Sequence, residues 1–126
     1  MNILGIDFGT RRMGLAVKRS GVDVVLPFGI FEWENTDVKM QELADLISKE
    51  NFDKIVMGLP VGLKSGEETS NSERVRKFAD KLKLKTGLPI EFADERFSSH
   101  EADSMGGQAY RDEKAAMVIL QEYLAE

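Results

Sequence analysis

Three acidic residues that lie far apart in this sequence occupy positions from which one sheet edge could bring them together. Asp7 sits within the apolar run 3–8, Glu95 follows a later predicted strand, and Asp112 opens the last predicted helix. Sites in mixed sheets form outside the carboxyl ends of the parallel strands. An unpaired carboxylate inside an apolar strand costs several kcal/mol, so Asp7 needs hydrogen bonds, a cation or a metal ion beside it. If the last helix begins near the same edge, the three carboxylates converge.

The ligands available to such a cluster favour a hard divalent cation. The chain has no cysteine and one histidine, His100, whereas three carboxylates offer only oxygen. Oxygen ligands suit Mg²⁺ or Mn²⁺ better than zinc. These ions activate water and stabilise the leaving oxygen in phosphodiester hydrolysis, often as a pair about 4 Å apart. Metal-assisted hydrolysis is therefore one candidate chemistry, and His100 is more typical of a surface residue than of a general base.

Each acid also has a purely structural explanation. Asp7 can bond to the backbone of its own turn, as Asp often does beside Gly. Glu95 can form a surface ion pair with Arg96 or Lys83. Asp112 can cap the last helix, and a capping carboxylate can still bind a metal through its second oxygen. The spacing of the residues leaves these explanations and a shared metal site both open.

A turn bounded by glycine follows Asp7. Gly9 and Thr10 carry the chain from the first strand into a second apolar strand at residues 13–17, which contains Gly14. Because glycine has no side chain, it lets another backbone or a phosphate approach closely. The turn is therefore a candidate for contact with a phosphate.

The composition bounds the class of protein. With 126 residues, of which 42% are apolar and 31% charged, the chain fits one globular domain spanning residues 1–126. The absence of cysteine excludes disulfides and thiolate metal sites. No apolar stretch approaches the roughly 20 residues of a membrane span, and the start lacks the pattern of a signal peptide. We expect a cytoplasmic protein with no membrane partner.

The net charge of -5 argues against a protein that coats nucleic acid by bulk electrostatics. It does not exclude an enzyme that acts on nucleic acid. Acidic residues around a metal lower the net charge while local Lys and Arg still hold phosphates. Trp33 and Phe31 are more typical of packing on a sheet than of a platform for stacked bases.

The order of predicted elements indicates an α/β fold. Three strands joined by short turns, at 3–8, 13–17 and within 22–33, predict an antiparallel meander, with Pro27 suited to an edge strand. The remaining predicted elements are a helix capped by Thr36 over 37–50, a strand at 53–59, a helix over 70–85 stopped by Gly87, a strand at 88–93, a short helical segment from Ser98 or Ser99 to Met105, and a helix over 113–124. Mixed strands and helices in this order predict a three-layer sheet flanked by helices.

Four sequence blocks, in order and covering essentially the whole chain, resemble the YqgF/RuvX family. They are residues 5–16 (GIDFGTRRMGLA), 56–60 (VMGLP), 94–99 (DERFSS) with Ala102, and 112–124 (DEKAAMVILQEYL). Members of that family are described as Holliday junction resolvases and, in bacteria, as nucleases that mature the 5′ end of pre-16S rRNA. The resemblance implies a ribonuclease H-like fold with a mixed five-stranded sheet, three strands being antiparallel and the others parallel.

Position by position, the resemblance assigns the family's acidic residues to the same three carboxylates, Asp7, Glu95 and Asp112. The resemblance also implies contacts to the nucleic-acid backbone, made by Arg11 or Arg12, Lys64 and Arg96. It further implies loops that are shaped by Gly9, Thr10, Gly58, Pro60 and Gly66.

The sequence departs from the family pattern in two places. The segment between Ala102 and Asp112 is shorter and less basic than is usual, which predicts a reduced substrate-gripping loop, and Phe97 with two serines replaces the commoner Leu and Thr.

The resemblance implies a metal-dependent endonuclease or exonuclease, with Mg²⁺ or Mn²⁺ as cofactor. Its expected substrate is structured RNA, most notably pre-16S rRNA during ribosome biogenesis, with pre-ribosomal particles as a partner. The alternative substrate is branched DNA, cleaved by a Holliday junction resolvase. In the expected mechanism, the three carboxylates hold metal, and Arg11, Arg12 and Arg96 hold the phosphate and stabilise its developing charge.

Two rival functions follow from the same residues. The Asp7-to-Thr10 turn also resembles the phosphate-binding loop of actin, hexokinase and heat-shock ATPases, but those bind nucleotide between two such domains, and 126 residues supply one. A non-catalytic nucleic-acid-binding module is the second rival. Retention of three acids argues against it, because removing unneeded buried carboxylates costs little or stabilises a protein.

Overall fold

The computed structural model describes residues 1–59, 70–94 and 111–125, and within them five strands form one mixed sheet. The strands are β1 (Ile3–Asp7), β2 (Arg12–Lys18), β3 (Leu26–Glu32), β4 (Lys54–Leu59) and β5 (Ile90–Asp94), and the helices are α1 (Asp37–Lys49), α2 (Ser70–Thr86) and α3 (Arg111–Ala125). The sheet order is β3-β2-β1-β4-β5, with antiparallel pairing from β3 to β1 and parallel pairing from β1 to β5. This confirms the predicted sheet. The predicted helical segment from Ser98 or Ser99 to Met105 lies outside the described residues.

The central strand β1 contributes to two hydrophobic cores because its side chains alternate between the two faces of the sheet. Leu4 and Ile6 belong to the larger core, which α1 and α2 cover. Ile3 belongs to the smaller core, which α3 covers. The sheet therefore lies between α1 and α2 on one side and α3 on the other, as the three-layer prediction required.

Local sequence chemistry sets the ends of the first two helices as predicted. The Thr36 hydroxyl accepts the amide hydrogen of Lys39 at 3.2 Å, which satisfies one of the unpaired donors at the start of α1. At the end of α2, Gly87 has a φ of 72°, and its amide donates to the Lys83 carbonyl at 2.8 Å. Glycine adopts this left-handed conformation without the strain that a side chain would add.

The edge strand β3 begins later than the apolar residues before it suggested. Val24 is 56% exposed and precedes the strand, which starts at Leu26. Pro27 lies in this edge strand as predicted, and the pairing with β2 shifts register between Leu15 and Ala16. A proline is tolerated at an edge because it removes a donor that a central strand would need.

Helix α3 crosses the sheet against all five strands. Its C-terminal part is held at the start of β4 and β5, where Lys54 donates to the Tyr123 hydroxyl at 3.0 Å and lies 3.0 Å from the Glu91 carboxylate. Tyr123 in turn donates to Glu91. Of the six central apolar residues of α3, five are buried, namely Ala115, Ala116, Val118, Ile119 and Leu120. In the part of the chain that is described, no helix is long and apolar enough to span a membrane.

The contact between α3 and β1 depends on Gly5. A Cβ atom built at Gly5 would lie 3.1 Å from the Leu120 Cβ and 3.2 Å from the Ala116 carbonyl oxygen. Both neighbours belong to or adjoin the helix backbone and cannot rotate away, so a larger residue at this position would require α3 to shift by a few tenths of an ångström.

We expect Gly5→Ala to push α3 away from β1. The added methyl group requires a shift of the helix, and overpacking of this kind costs about 1–3 kcal/mol of unfolding free energy. Urea unfolding followed by circular dichroism measures the change. Ser48→Ala, an exposed substitution on α1, provides the control and should stay within about 0.5 kcal/mol of the parent. An unfolding midpoint of Gly5→Ala equal to that control would contradict the close contact.

Candidate active site at the carboxyl edge of the sheet

Asp7 is the last residue of β1 and lies half-buried at the carboxyl edge of the sheet. The sequence predicted a strand over 3–8 with Asp7 near its carboxyl end, and the observed strand ends one residue earlier, at Asp7 itself. By strand alternation, position 7 faces the same side as Ile3 and Gly5, which is the side that α3 covers. The carboxylate therefore belongs to the layer between the sheet and α3.

The neighbours of Asp7 in the sheet carry almost no side chain. On one side Asp7 pairs with Gly14 of β2. On the other side, one step beyond the Ile6–Met57 pair, stands Gly58 of β4, which pairs with Ala93 of β5. In this row of four positions, Asp7 alone has a side chain larger than a methyl group. The glycines make room for a ligand of the carboxylate.

The first turn of α3 lies level with Asp7 along the direction of β1. Tyr123 contacts Lys54, which pairs with Ile3 at the start of β1, while Gly5 lies against Ala116 and Leu120. Helix and strand are thus antiparallel. Two strand residues beyond Gly5 span roughly 6.6 Å, which about four helix residues cover. The helix start, where the backbone of residue 112 lies, therefore approaches the end of β1.

Helix α3 spans Arg111–Ala125, so the backbone of residue 112 lies in its first turn. The side chain of Asp112 lies outside the described residues. The position of its backbone is consistent with the prediction that Asp112 lies close to Asp7.

Other predicted site residues lie outside the part of the chain that the structure describes. Glu95 directly follows Asp94, the last residue of β5, which pairs with Leu59 at the same edge as Asp7. The remaining predicted residues outside the described ranges are Pro60, Lys64, Gly66 and Arg96. Within residues 1–59, 70–94 and 111–125, no three His, Cys, Asp or Glu residues gather around a point. The proposed trio stays a prediction.

The turn after β1 brings two arginines to this edge. A Cβ atom at Gly9 would lie 2.3 Å from the Arg12 carbonyl oxygen, so the turn can close only around glycine. The Arg11 carbonyl accepts the Trp33 amide hydrogen at 2.8 Å, which ties the turn to the end of β3. Thr10, Arg11 and Arg12 are exposed. Both guanidinium groups therefore stand where a phosphate could reach them.

A groove of about 540 Å³ opens on the other face of the sheet at the same edge. It is lined by Phe8, Thr10, Trp33, Asn35 and Met40, and by Arg74, Lys77, Phe78, Asp80 and Lys81 of α2. Trp33 is 7% exposed and packs edge-on against Phe78 at 5.0 Å between ring centroids, which agrees with the predicted packing role. The sequence prediction did not identify this groove, although the basic residues of α2 were a visible signal.

Comparisons with known proteins find similar sequences over nearly the whole chain. The family model described as "RuvX: Holliday junction resolvase" matches residues 1–126. A protein of Maridesulfovibrio salexigens named "Putative pre-16S rRNA nuclease" is 37% identical over 99% of this chain and 98% of its own length. One of Bordetella pertussis with the same name is 36% identical over 97% of this chain and 92% of its own length.

Two solved structures share the fold at low sequence identity. Thermus thermophilus RuvC has a TM-score of 0.61 at 11% identity, over 99% of this chain and 96% of that one. The Fowlpox virus resolvase in complex with Holliday junction DNA has a TM-score of 0.59 at 14% identity and covers 100% of both chains. The predicted ribonuclease H-like fold is thereby confirmed.

We expect Gly9→Ala to destabilise the turn that carries both arginines. The new Cβ atom collides with a backbone oxygen that cannot move alone, so we anticipate a loss of about 1–3 kcal/mol in unfolding free energy. Thr10→Ala in the same turn is the matched control, because an exposed side chain there should change the value by less than about 0.5 kcal/mol. Equal urea midpoints for the two variants would show that the turn does not need glycine.

Proposed function

Because this chain belongs to the RuvX family, it is a nuclease that hydrolyses phosphodiester bonds, and we propose that its substrate is the 5′ end of pre-16S rRNA. The observation that carries the site is the half-buried Asp7 between Gly14 and Gly58, facing the side that α3 covers. The names of relatives that match nearly the whole chain support the choice of substrate. Pre-ribosomal particles are the partner that this substrate implies.

Nucleases of this kind depend on a divalent metal ion, and we propose Mg²⁺ or Mn²⁺ here. The donor chemistry fits, because a carboxylate at the end of β1 is a hard oxygen ligand and its sheet neighbours are glycines. When bound, a divalent ion activates the attacking water and stabilises the leaving oxygen. Asp7, Glu95 and Asp112 are the proposed ligands.

The remaining proposed roles belong to cationic side chains. Arg11 and Arg12 are exposed on the turn that follows Asp7. We assign them, with Lys64 and Arg96, to holding the nucleic-acid backbone. A guanidinium group can pair with two phosphate oxygens at once, and it offsets the charge that develops on the phosphate during hydrolysis.

A second candidate substrate is a four-way DNA junction. The family description names Holliday junction resolvases, which is the specific observation in its favour. The two candidates need the same carboxylates and differ in the shape of the strand that reaches them. A parallel assay on labelled precursor rRNA and on a four-way DNA junction separates them.

We expect Asp7→Asn to abolish metal-dependent cleavage of the precursor rRNA while the fold is retained. The amide keeps the size of the side chain and removes the anionic oxygen, so the loss should exceed about a hundredfold. Gel analysis of the labelled 5′ end measures it, with the four-way junction run beside it. Asp23→Asn, an exposed change of the same charge, is the matched control and should cleave like the parent. Full cleavage by Asp7→Asn would refute the proposed site, whereas binding without cleavage by the parent would indicate a non-catalytic module.

We expect Mg²⁺ or Mn²⁺ to raise the thermal stability of the parent but not of Asp7→Asn. A ligand at a hundred times its dissociation constant stabilises a folded protein by about 2.7 kcal/mol. In the metal-free protein, Asp7→Asn should be at least as stable as the parent, because in the proposed site it removes one of three carboxylates that repel one another. Melting curves with and without each metal test this. An equal metal-induced shift in both proteins would place the binding elsewhere.

A further inference from the structure

Helix α2 is strongly basic in an acidic protein. Six of its residues are Lys or Arg and two are acidic, whereas the whole chain carries a net charge of -5. Arg74, Lys77 and Lys81 follow one another at spacings of three and four residues, which places them on one side of the helix. All three line the groove described above and are exposed. Half of the basic residues of α2 therefore lie along the groove.

These three cations have no acidic partner in the part of the chain that the structure describes, residues 1–59, 70–94 and 111–125. Other basic residues do form ion pairs there, for example Arg19, Lys39 and Lys54. Asp80 lines the same groove and is its one acidic lining residue among those described. The rim thus has an excess of positive charge that is available to a phosphate backbone.

The floor of the groove is apolar and aromatic, in contrast to its charged rim. Phe8 is half-buried, and Phe78, Trp33 and Met40 beneath it are almost fully buried. A floor of aromatic and apolar groups below a basic rim matches how proteins hold single-stranded nucleic acid, with bases on apolar surfaces and phosphates on cations. A volume of about 540 Å³ is in the range of pockets that hold one small organic group, such as one nucleotide.

The groove adjoins the candidate active site through the chain itself. Phe8 directly follows Asp7, and Thr10 belongs to the turn that carries the two site arginines. Asp7 faces the α3 side of the sheet, while Phe8 packs with the core under α1 and α2. A nucleic-acid strand that crosses the carboxyl edge of the sheet would pass from the groove to the candidate active site.

We propose that this groove binds an unpaired nucleotide of the substrate strand next to the cleaved bond, with the base against Phe8 and the phosphates on Lys77 and Lys81. The inference rests on the proposed nuclease function and adds that the enzyme requires a single-stranded flank. A base within a duplex is stacked and cannot enter such a groove, so the groove selects unpaired strand.

The single tryptophan makes occupancy of the groove directly measurable. Trp33 lies at the groove floor and is the one Trp in the sequence, so its emission reports a base that enters. Titration of a short single-stranded RNA into the parent, without divalent metal, should change the emission in a saturating way. A hairpin RNA of equal length with blunt ends should leave it unchanged. The variant Trp33→Phe provides the optical blank.

The charge test compares two double variants. In K77Q/K81Q, the fluorescence titration should show weaker binding, and the slope of log affinity against log salt should shrink by about 1.4, since each lost phosphate contact on a single strand accounts for about 0.7. The matched control K49Q/K83Q removes the same charge from exposed positions of α1 and α2 that do not line the groove. It should bind and cleave like the parent. For cleavage, K77Q/K81Q should raise KM and leave kcat near the parent value.

The outcomes separate the groove from the proposed function. If Asp7→Asn loses cleavage but keeps the Trp33 signal and the salt slope, both proposals stand. If Asp7→Asn still cleaves while the groove variants behave as expected, the proposed active site fails and the groove survives. An unchanged Trp33 emission in the parent, or equal salt slopes for the two double variants, overturns the groove proposal whatever happens to cleavage.

Discussion

The close contact between α3 and β1 at Gly5 is the constraint on which the candidate site depends. A Cβ atom built at Gly5 would lie 3.1 Å from the Leu120 Cβ and 3.2 Å from the Ala116 carbonyl oxygen, so a larger residue would require the helix to shift. The contact fixes both the distance and the level of the helix along β1. Because α3 runs antiparallel to β1, its first turn approaches the end of the strand. The contact at Gly5 thereby helps to place the first turn of α3 near Asp7, which lies about 6.6 Å further along β1.

The central strand separates the two proposed sites at one edge of the sheet. Odd positions of β1 face α3, and Asp7 is the last of them, while Phe8 beyond the strand packs toward α1 and α2. Consecutive residues therefore serve opposite faces. In the two proposals, the carboxylate holds a metal on one face and the ring of Phe8 supports a base on the other. Such an arrangement needs no additional domain, because the pleat of the strand alone divides the two tasks.

Much of this fold was predictable from local chemistry. The apolar run of β1, the cap at Thr36, the helix stop at Gly87 and the edge position of Pro27 each depend on a few neighbouring residues, and each prediction was confirmed. The start of β3 was not predictable, because Val24 has the apolar character of a strand residue but is exposed. The exposure of Val24 depends on which other elements pack against it, and the local hydrophobic pattern does not contain that information.

The candidate site was less predictable from the sequence than the fold. Asp7 stood out because a carboxylate within an apolar strand needs a physical reason, and its place at the carboxyl edge agrees with that reasoning. Whether Asp112 caps the helix could not be decided, since cap and first turn differ by one residue. The groove was not predicted because its lining residues come from the turn after β1, the end of β3 and two helices, which are far apart in the sequence. Glu95 remains a prediction.

The irregular edge strand has a consequence for the protein at high concentration. β3 exposes Leu26 by 45% and Ile30 by 42%, and an apolar outer strand is ordinarily a template on which a second molecule can add its own strand. Here Pro27 has no amide hydrogen to offer, and the register shift opposite it bends the ladder. Pro27 and the register shift therefore disfavour the addition of a second molecule's strand to this apolar edge.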